Sequence, residues 1–179
     1  EYKMKYAVAI DIGGTNTRVA LIDEKYKIEE RAQFSTDADN PEVTLFKIKQ
    51  AIDSFDKEIV GVGMSCPGPL DLIEGKILTT PNLHGEWHGL CITKELEKLI
   101  HKPVYLENDA NLAALAEAII GEGKEYNIVQ YLTVSTGLGA GLVINKKVFQ
   151  GAHGFANEVA NVCLWNNGPS HGSIYPGGV

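Results

Sequence analysis

Three runs of apolar and β-branched residues open the chain, at 6–12, 18–23 and 27–34. The breaks between them are only a few residues long. Breaks so short fit tight turns and leave no length for a helical crossover, so the chain must begin with successive strands. The first break is the most informative. It reads Asp11-Ile12-Gly13-Gly14-Thr15, a carboxylate at the end of a good strand followed by two glycines and a hydroxyl. Glycine at a strand-to-strand turn permits positive φ. It also clears side chains from the backbone, so that N–H groups can approach a ligand, and Asp11 can hold a hydrated Mg²⁺ that bridges phosphate oxygens. The motif therefore fits two uses about equally. One is a phosphate cradle built from a hairpin; the other is a tight hairpin with an Asp beside its turn.

Beyond residue 35 the period changes. Asn40-Pro41 is a helix start, with Asn as N-cap and Pro at the first helical position. Leu45, Ile48, Ile52 and Phe55 come next at helical spacing. IVGVGMS (59–65) reads as a strand whose glycines admit something packed close. CPGPLD and EGK are turn signals around a hairpin. Thr93 is expected to cap a short helix carrying Leu96, Leu99 and Ile100. PVYLE (103–107) is another strand. A helix from about Asp109 to Ile120 should end at Gly121 in the left-handed cap position. IVQYLTV (128–134) and GLGAGLVIN (137–145) then pair through a Gly-rich turn. Three strands, helix, strand, helix, strand, helix and two fresh strands make an α/β chain with a mixed sheet and flanking helices. The second strand pair resembles the first and reads as the start of a second, related lobe. Domains are expected at 1–122 and 123–179, parted where Gly, Glu and Lys cluster.

Composition narrows the function. The 179 residues carry a formal net charge of −7. That argues against a nucleic-acid partner, because phosphate-backbone binding needs a Lys/Arg excess. Cys66, Cys91 and Cys163 are widely spaced and odd in number. Neither a disulfide framework nor a metal cluster is expected from them, and a reducing cytoplasm is. The N-terminus has no apolar signal core, and no apolar run is long enough to cross a bilayer. Residues 151–179 are rich in Gly, Asn, Ser and Pro. A second lobe of about 55 residues with so little regular structure makes a poor independent fold. The chain is therefore expected to be a truncated piece of a longer protein.

Two more stretches can carry chemistry. In TVSTGLGAG (133–141), Gly137, Gly139 and Gly141 alternate and leave one face of the strand as bare backbone. Close packing accounts for that, and so would phosphate contacts from Thr136 and Gly137. The stretch lacks the Gly-Lys-Ser/Thr of a P-loop, and the residues after the turn read as strand, not the helix of a Rossmann fingerprint. Glu107-Asn108-Asp109-Ala110-Asn111 joins a strand to a helix. Asp109 there can accept backbone N–H bonds and feels the positive end of the helix dipole. It is either an N-cap or a carboxylate base at the carboxyl end of a strand, where α/β sheets place ligands. Asn108 offers a donor and an acceptor, the pair a sugar hydroxyl requires.

DIGGTNTR, PGPLD with PNLHGEWHG, LENDANLAALAE, TVSTGLGAGLVIN and GAHGFANEVAN occur in that order between residues 6 and 161. Together they resemble the motifs of the ROK family of sugar kinases and related repressors. The resemblance implies an actin-like, two-lobed fold of the ribonuclease-H type, with ATP and sugar between the lobes and the second lobe incomplete here. It implies Asp109 as general base on the sugar hydroxyl. Asn108 and Glu158 would bind sugar, with Gly68 near the sugar loop and Asn161 able to hydrogen-bond a sugar. Asp11, Gly13, Gly14 and Thr15 would handle Mg²⁺ and phosphate, Asp11 through water, and Thr136 and Gly137 would face the phosphates from the other lobe. The implied activity is ATP-dependent phosphorylation of a hexose hydroxyl, with glucokinase as the type and N-acetylmannosamine as the alternative substrate. The implied setting is cytoplasmic, with the full-length protein a homodimer. Binding ATP through Mg²⁺ and backbone N–H dipoles needs no basic surface, so the negative charge is no obstacle.

The chain departs from the family pattern at Glu158-Val159-Ala160-Asn161, where Glu-x-Gly-His is usual. In many members that His contacts sugar and joins a three-cysteine cluster around zinc. Here only Cys163 comes after it, and Asn is a poor zinc ligand, so no structural zinc is expected. His153 and His171 read as solvated loop residues. Three rivals stand beside the kinase. A repressor of the family would carry a helix-turn-helix before the first motif, and with the first strand expected at about Tyr6 none is expected in the sequence as given. A non-catalytic sugar-binding sensor is opposed by the presence of both Asp11 and Asp109. A phosphotransferase with a non-sugar acceptor is opposed by Asn108 together with Glu158. The chain as given is expected to lack a complete ATP site, to expose apolar surface, and to aggregate or dimerise.

Overall fold

The computed structural model describes residues 4–134, 138–152, 154 and 156–159. The expectations for Thr136, Gly137, His153, Asn161, Cys163 and His171 lie outside the described residues. The chain divides into two compact units, 1–109 and 110–179.

In the first unit β1 (Tyr6–Ile12), β2 (Asn16–Asp23) and β3 (Ile28–Ser35) pair antiparallel in succession. α1 (Pro41–Ser54) leads to β4 (Ile59–Cys66). A small hairpin of β5 (Leu70–Asp71) and β6 (Lys76–Ile77) comes next, then a 3-10 turn (Gly85–Trp87), α2 (Ile92–Ile100) and β7 (Val104–Asn108). The five long strands lie in the order β3-β2-β1-β4-β7, with β1, β4 and β7 parallel. The sheet is mixed, as the element order predicts.

Alternation puts one side chain in two toward the helices. Register then aligns the apolar ones in rows, so that Ile10 has Val19 on one side and Met64 on the other. Leu45, Ile48 and Ile52 of α1, with Phe55 after it, and Ile92 and Leu96 of α2 complete this core. Leu21 and Ile48 are fully buried, and cutting either back to Ala should cost about 2–5 kcal/mol. Asn40 caps α1, its side chain accepting from the N–H groups of Glu42 at 3.0 Å and Val43 at 3.4 Å. The helix then begins at Pro41. The expected Thr93 cap is not found. α2 starts after Cys91, whose side chain makes no cap bond, and Thr93 Oγ1 turns to the Gly75 carbonyl at 3.5 Å. The β5–β6 loop lies over the first turn of α2 and claims that hydroxyl. Of the β4 glycines, Gly61 lies against Pro103, where a Cβ would come within 3.2 Å of a carbonyl oxygen. Gly63 faces open space, so only one of the two admits a close neighbour.

α3 (Asp109–Ile119) starts on the last residue of the first unit and continues into the second. There β8 (Ile128–Val134), β9 (Leu138–Ile144) and β10 (Lys147–Val148) form an antiparallel sheet in the order β10-β9-β8. A Cβ on Gly141 would lie 2.5 Å from the Ala110 carbonyl oxygen and 2.8 Å from the Ala114 Cβ. Ala110, Ala114 and Ala118 are all buried. A helix side of alanines thus lies close on a strand of glycines. This packing groups α3 with residues after it, whereas the composition shift at 122 placed it with those before. On the other side of β8, Ile128, Leu132 and Val134 alternate and are exposed.

Gly121 does not adopt the left-handed conformation expected of it. Its N–H bonds to the Ala116 carbonyl at 3.1 Å, and a Cβ there would collide with Glu117. Close approach, not handedness, selects the glycine. Positive φ occurs instead in the β9–β10 turn, at Asn145 (51°) and Lys146 (63°). The Lys146 ammonium donates to the carbonyls of Ala118, Gly123, Lys124 and Tyr126 at 2.7, 3.3, 2.6 and 3.0 Å. It sits at the C-terminal end of α3, where unsatisfied carbonyls and the negative end of the dipole favour a cation. Among the described residues no helix is long and apolar enough to cross a membrane.

Candidate active site

The carboxyl ends of β1, β4 and β7 lie side by side. Asp11 pairs in register with Ser65, Ser65 with Glu107, and Cys66 with Asn108. Strand ends of this kind are where α/β sheets gather ligands. Asp11 is held from two sides. Ser65 Oγ donates to its Oδ1 at 2.7 Å, and Arg18 Nη1 donates to its Oδ2 at 3.1 Å. Arg18 stands opposite Asp11 across β1 and β2. With side chains 62 % and 49 % exposed, this ion pair aims the carboxylate more than it stabilises the fold. The first motif holds both Asp11 and Arg18 but not Ser65, because only the strand order brings Ser65 to it.

Cys66 ends β4 and is 1 % exposed. Burial pushes its thiol up, with the carboxylates of Asp109 and Asp11 adding to the effect, to about 12. Both acidic residues of the two motifs therefore act on one sulfur, which places them together around the end of β4. Asp109 is the first residue of α3, so its carboxylate lies at the positive end of that helix. A Cβ on Gly68 would lie 3.8 Å from Asn108 Nδ2, which makes the Pro-Gly-Pro turn the neighbour of Asn108.

Of the two reasons the sequence offers for the hairpin glycines, positive φ is not the one the backbone uses. Neither Gly13 nor Gly14 has positive φ. A Cβ on Gly14 would come 2.6 Å from the Asn82 Cβ and 3.0 Å from the Asn82 carbonyl oxygen. Asn82 belongs to PNLHGEWHG, so the two motifs touch at Gly14. That loop is pinned by Trp87, which is fully buried and donates its Nε1–H to the Asp37 carbonyl at 2.9 Å. The Gly13 N–H closes the turn on the Asn16 carbonyl at 2.9 Å. In the second unit Glu158 is exposed and comes directly after Asn157, which has φ 68°.

Among the described residues no group of three or more His, Cys, Asp or Glu could enclose a metal ion. A hydrated Mg²⁺ asks less, one carboxylate and space for its waters. Asp11 fits that request, since each oxygen of its half-exposed carboxylate accepts one hydrogen bond and keeps further lone-pair capacity.

The sequence matches the model of the ROK family over residues 7–172. It is 34 % identical over 165 residues to the glucokinase of Thermotoga maritima, covering 90 % of this chain and 52 % of that protein. It is 29 % identical over 174 residues to the xylose repressor of Bacillus subtilis, covering 93 % and 44 %. The ROK hexokinase from Thermus thermophilus superposes with a TM-score of 0.85 at 31 % identity, over 94 % of this chain and 56 % of that one. A ROK family glucokinase from Streptomyces griseus in complex with glucose and AMPPNP gives a TM-score of 0.74 at 28 % identity, over 89 % and 51 %. The chain thus spans about half the length of the relatives it matches. The actin-like α/β architecture expected from the motifs is the one these neighbours share. With the match running through nearly all of its residues, the chain belongs to the ROK family.

Proposed function

We propose that the protein carrying this chain transfers the terminal phosphoryl group of Mg·ATP to a hexose hydroxyl, as a glucokinase-like sugar kinase. The observation that supports this most is the gathering of Asp11 and Asp109 around Cys66, with Asn108 beside Gly68. It offers two carboxylates for separate roles and an amide for a hydroxyl. Phosphoryl transfer is mostly positioning and charge neutralisation. Asp109, at a helix N-terminus, accepts the proton of the sugar hydroxyl as the bond to phosphorus forms. Asn108 accepts from one sugar hydroxyl and donates to another. Asp11, aimed by Ser65 and Arg18, would hold the hydrated Mg²⁺, which when bound neutralises phosphate charge. Gly13 closes the hairpin, which leaves the N–H groups of Gly14 and Thr15 and the Thr15 hydroxyl for phosphoryl oxygens. Glu158 and Asn161 on the sugar, and Thr136 and Gly137 on phosphate, rest on motif order. The same reading makes the protein cytoplasmic and, at full length, a homodimer.

Glucose is the first candidate acceptor and N-acetylmannosamine the second. The similarity to a xylose repressor favours a second reading, a sugar-binding sensor that uses Asn108 and has no need of Asp109. Phosphate transfer from Mg·ATP to a panel of hexoses and N-acetylhexosamines separates them, with full-length protein and its Asp109→Asn variant. The kinase reading expects transfer to one sugar, falling by about 10²-fold or more in the variant. Sugar binding without transfer would sink the kinase and leave the sensor.

A further inference from the structure

Thr36 lies just past β3 and grips the phosphate hairpin at two points. Its Oγ1–H donates to the Gly13 carbonyl at 2.7 Å. Its N–H donates to the Thr15 carbonyl at 2.9 Å. Its Oγ1 also lies 2.8 Å from the Oγ1 of Thr17, which is fully buried. One hydroxyl has one proton, and Thr36 spends it on Gly13. Thr17 is therefore the donor to Thr36, and a two-hydroxyl relay ends on the Gly13 carbonyl.

That direction has a consequence for the next amide. The Gly13–Gly14 peptide is planar and trans, so a carbonyl drawn toward Thr36 turns the Gly14 N–H to the opposite side. Among the described residues the N–H groups of Gly14 and Thr15 find no backbone acceptor. A peptide between two glycines turns over more easily than most, because neither side carries a Cβ. Turned over, it would offer a carbonyl lone pair to a phosphate in place of a donor.

We infer that Thr36 is a positioning residue for nucleotide phosphate. Its hydroxyl fixes the Gly13 carbonyl on one side so that the Gly14 N–H stays presented on the other. The inference rests on the kinase reading. Preorganised backbone donors aimed at phosphoryl oxygens need no reorganisation as charge develops, which is why their orientation matters to rate and binding.

The test uses full-length protein with Thr36→Val, which keeps the shape and removes the hydroxyl, and Thr36→Ser, which restores it. Transfer kinetics with varied Mg·ATP and varied sugar are measured beside the affinity for Mg·AMPPNP by calorimetry. In Thr36→Val the expected result is a loss of about tenfold or more in kcat/KM for Mg·ATP. A matching loss in AMPPNP affinity, an unchanged KM for sugar and recovery in Thr36→Ser are expected with it. Wild-type nucleotide parameters in Thr36→Val overturn the inference. So does equal damage in Thr36→Val and Thr36→Ser, which would assign the effect to packing. If Thr36→Val does not fold, Thr17→Val, which leaves the bond to Gly13 but removes its support, is expected to weaken AMPPNP binding less severely. No change there overturns the relay. A wild-type protein that binds AMPPNP but phosphorylates no sugar fails the kinase reading alone, and the AMPPNP comparison still decides Thr36. One that does neither fails both.

Discussion

Lys146 combines an unfavourable backbone with favourable side-chain bonds, and substitution separates the two. At φ 63° a residue with a Cβ costs about 1–2 kcal/mol more than glycine. Against this stand four carbonyl acceptors at 2.6–3.3 Å from one ammonium with three protons. Hydrogen bonds to a charged group contribute about 1.5–3 kcal/mol in buried settings. Here the bonds share one donor and are partly solvated, so the whole set is worth about 2–3 kcal/mol. Lys146→Met keeps the strain and loses the bonds, and should be less stable by about that amount. Lys146→Gly loses the bonds but relieves the strain, so its deficit should be only about 1 kcal/mol. For a chain of this size that corresponds to a fall in Tm of roughly 4–12 °C for Met and 2–4 °C for Gly. Thermal unfolding monitored by circular dichroism gives the order, wild type above Gly above Met. Amide hydrogen exchange at residues 121–126 should quicken in both variants. A Lys146→Gly protein as stable as wild type, with unchanged exchange in that loop, would mean that the ammonium does not hold the end of α3.

Other substitutions act through contacts of the same kind. Gly141→Ala should destabilise by about 1–3 kcal/mol, because the new methyl meets the Ala110 backbone. Gly139→Ala should cost less, since its nearest neighbour is the movable methyl of Thr133 at 2.9 Å; equal urea midpoints for the two would count against this. Gly14→Ala should separate the hairpin from Asn82 and lower both stability and transfer, and full activity with an unchanged Tm would contradict it. Cys66 has a folded thiol at about 12 against 9.0 when free. Its stabilising effect is therefore complete below pH 9 and is lost as pH rises toward 12. Between those limits wild type should lose stability faster than Cys66→Ala, and parallel curves in urea titrations would remove the effect.

The legible part of the sequence was local. Asn40-Pro41 and the spacing of Leu45, Ile48 and Ile52 define α1 almost without tertiary help, and the helix forms where they place it. Asp11, Asn108 and Asp109 stand out because each interrupts or ends an apolar run, and all three come to the strand ends of one sheet. The failures share a cause. Thr93 looked like a cap, but a loop from elsewhere in the chain takes its hydroxyl. Gly121 looked like a left-handed cap and Gly13-Gly14 like a place for positive φ, yet neither conformation occurs, and Gly14 and Gly121 each have a neighbour too close for a Cβ. Glycine answers either demand, and sequence alone does not say which. Ser65, Arg18, Thr36 and Asn82 gain their roles only from register and loop contact across the sheet.

The acid and the hairpin beside it are assembled over very different chain distances. The turn at Gly13 closes on Asn16, three residues on, and its Thr36 anchor is 23 residues away. Asp11 waits for Ser65, 54 residues along the chain and on a parallel strand that α1 must first deliver. Contacts that close long loops form late and slowly. The hairpin should therefore be built before its carboxylate is aimed, and the bond between Asp11 and Ser65 marks the moment at which β4 docks beside β1 and the parallel half of the sheet begins.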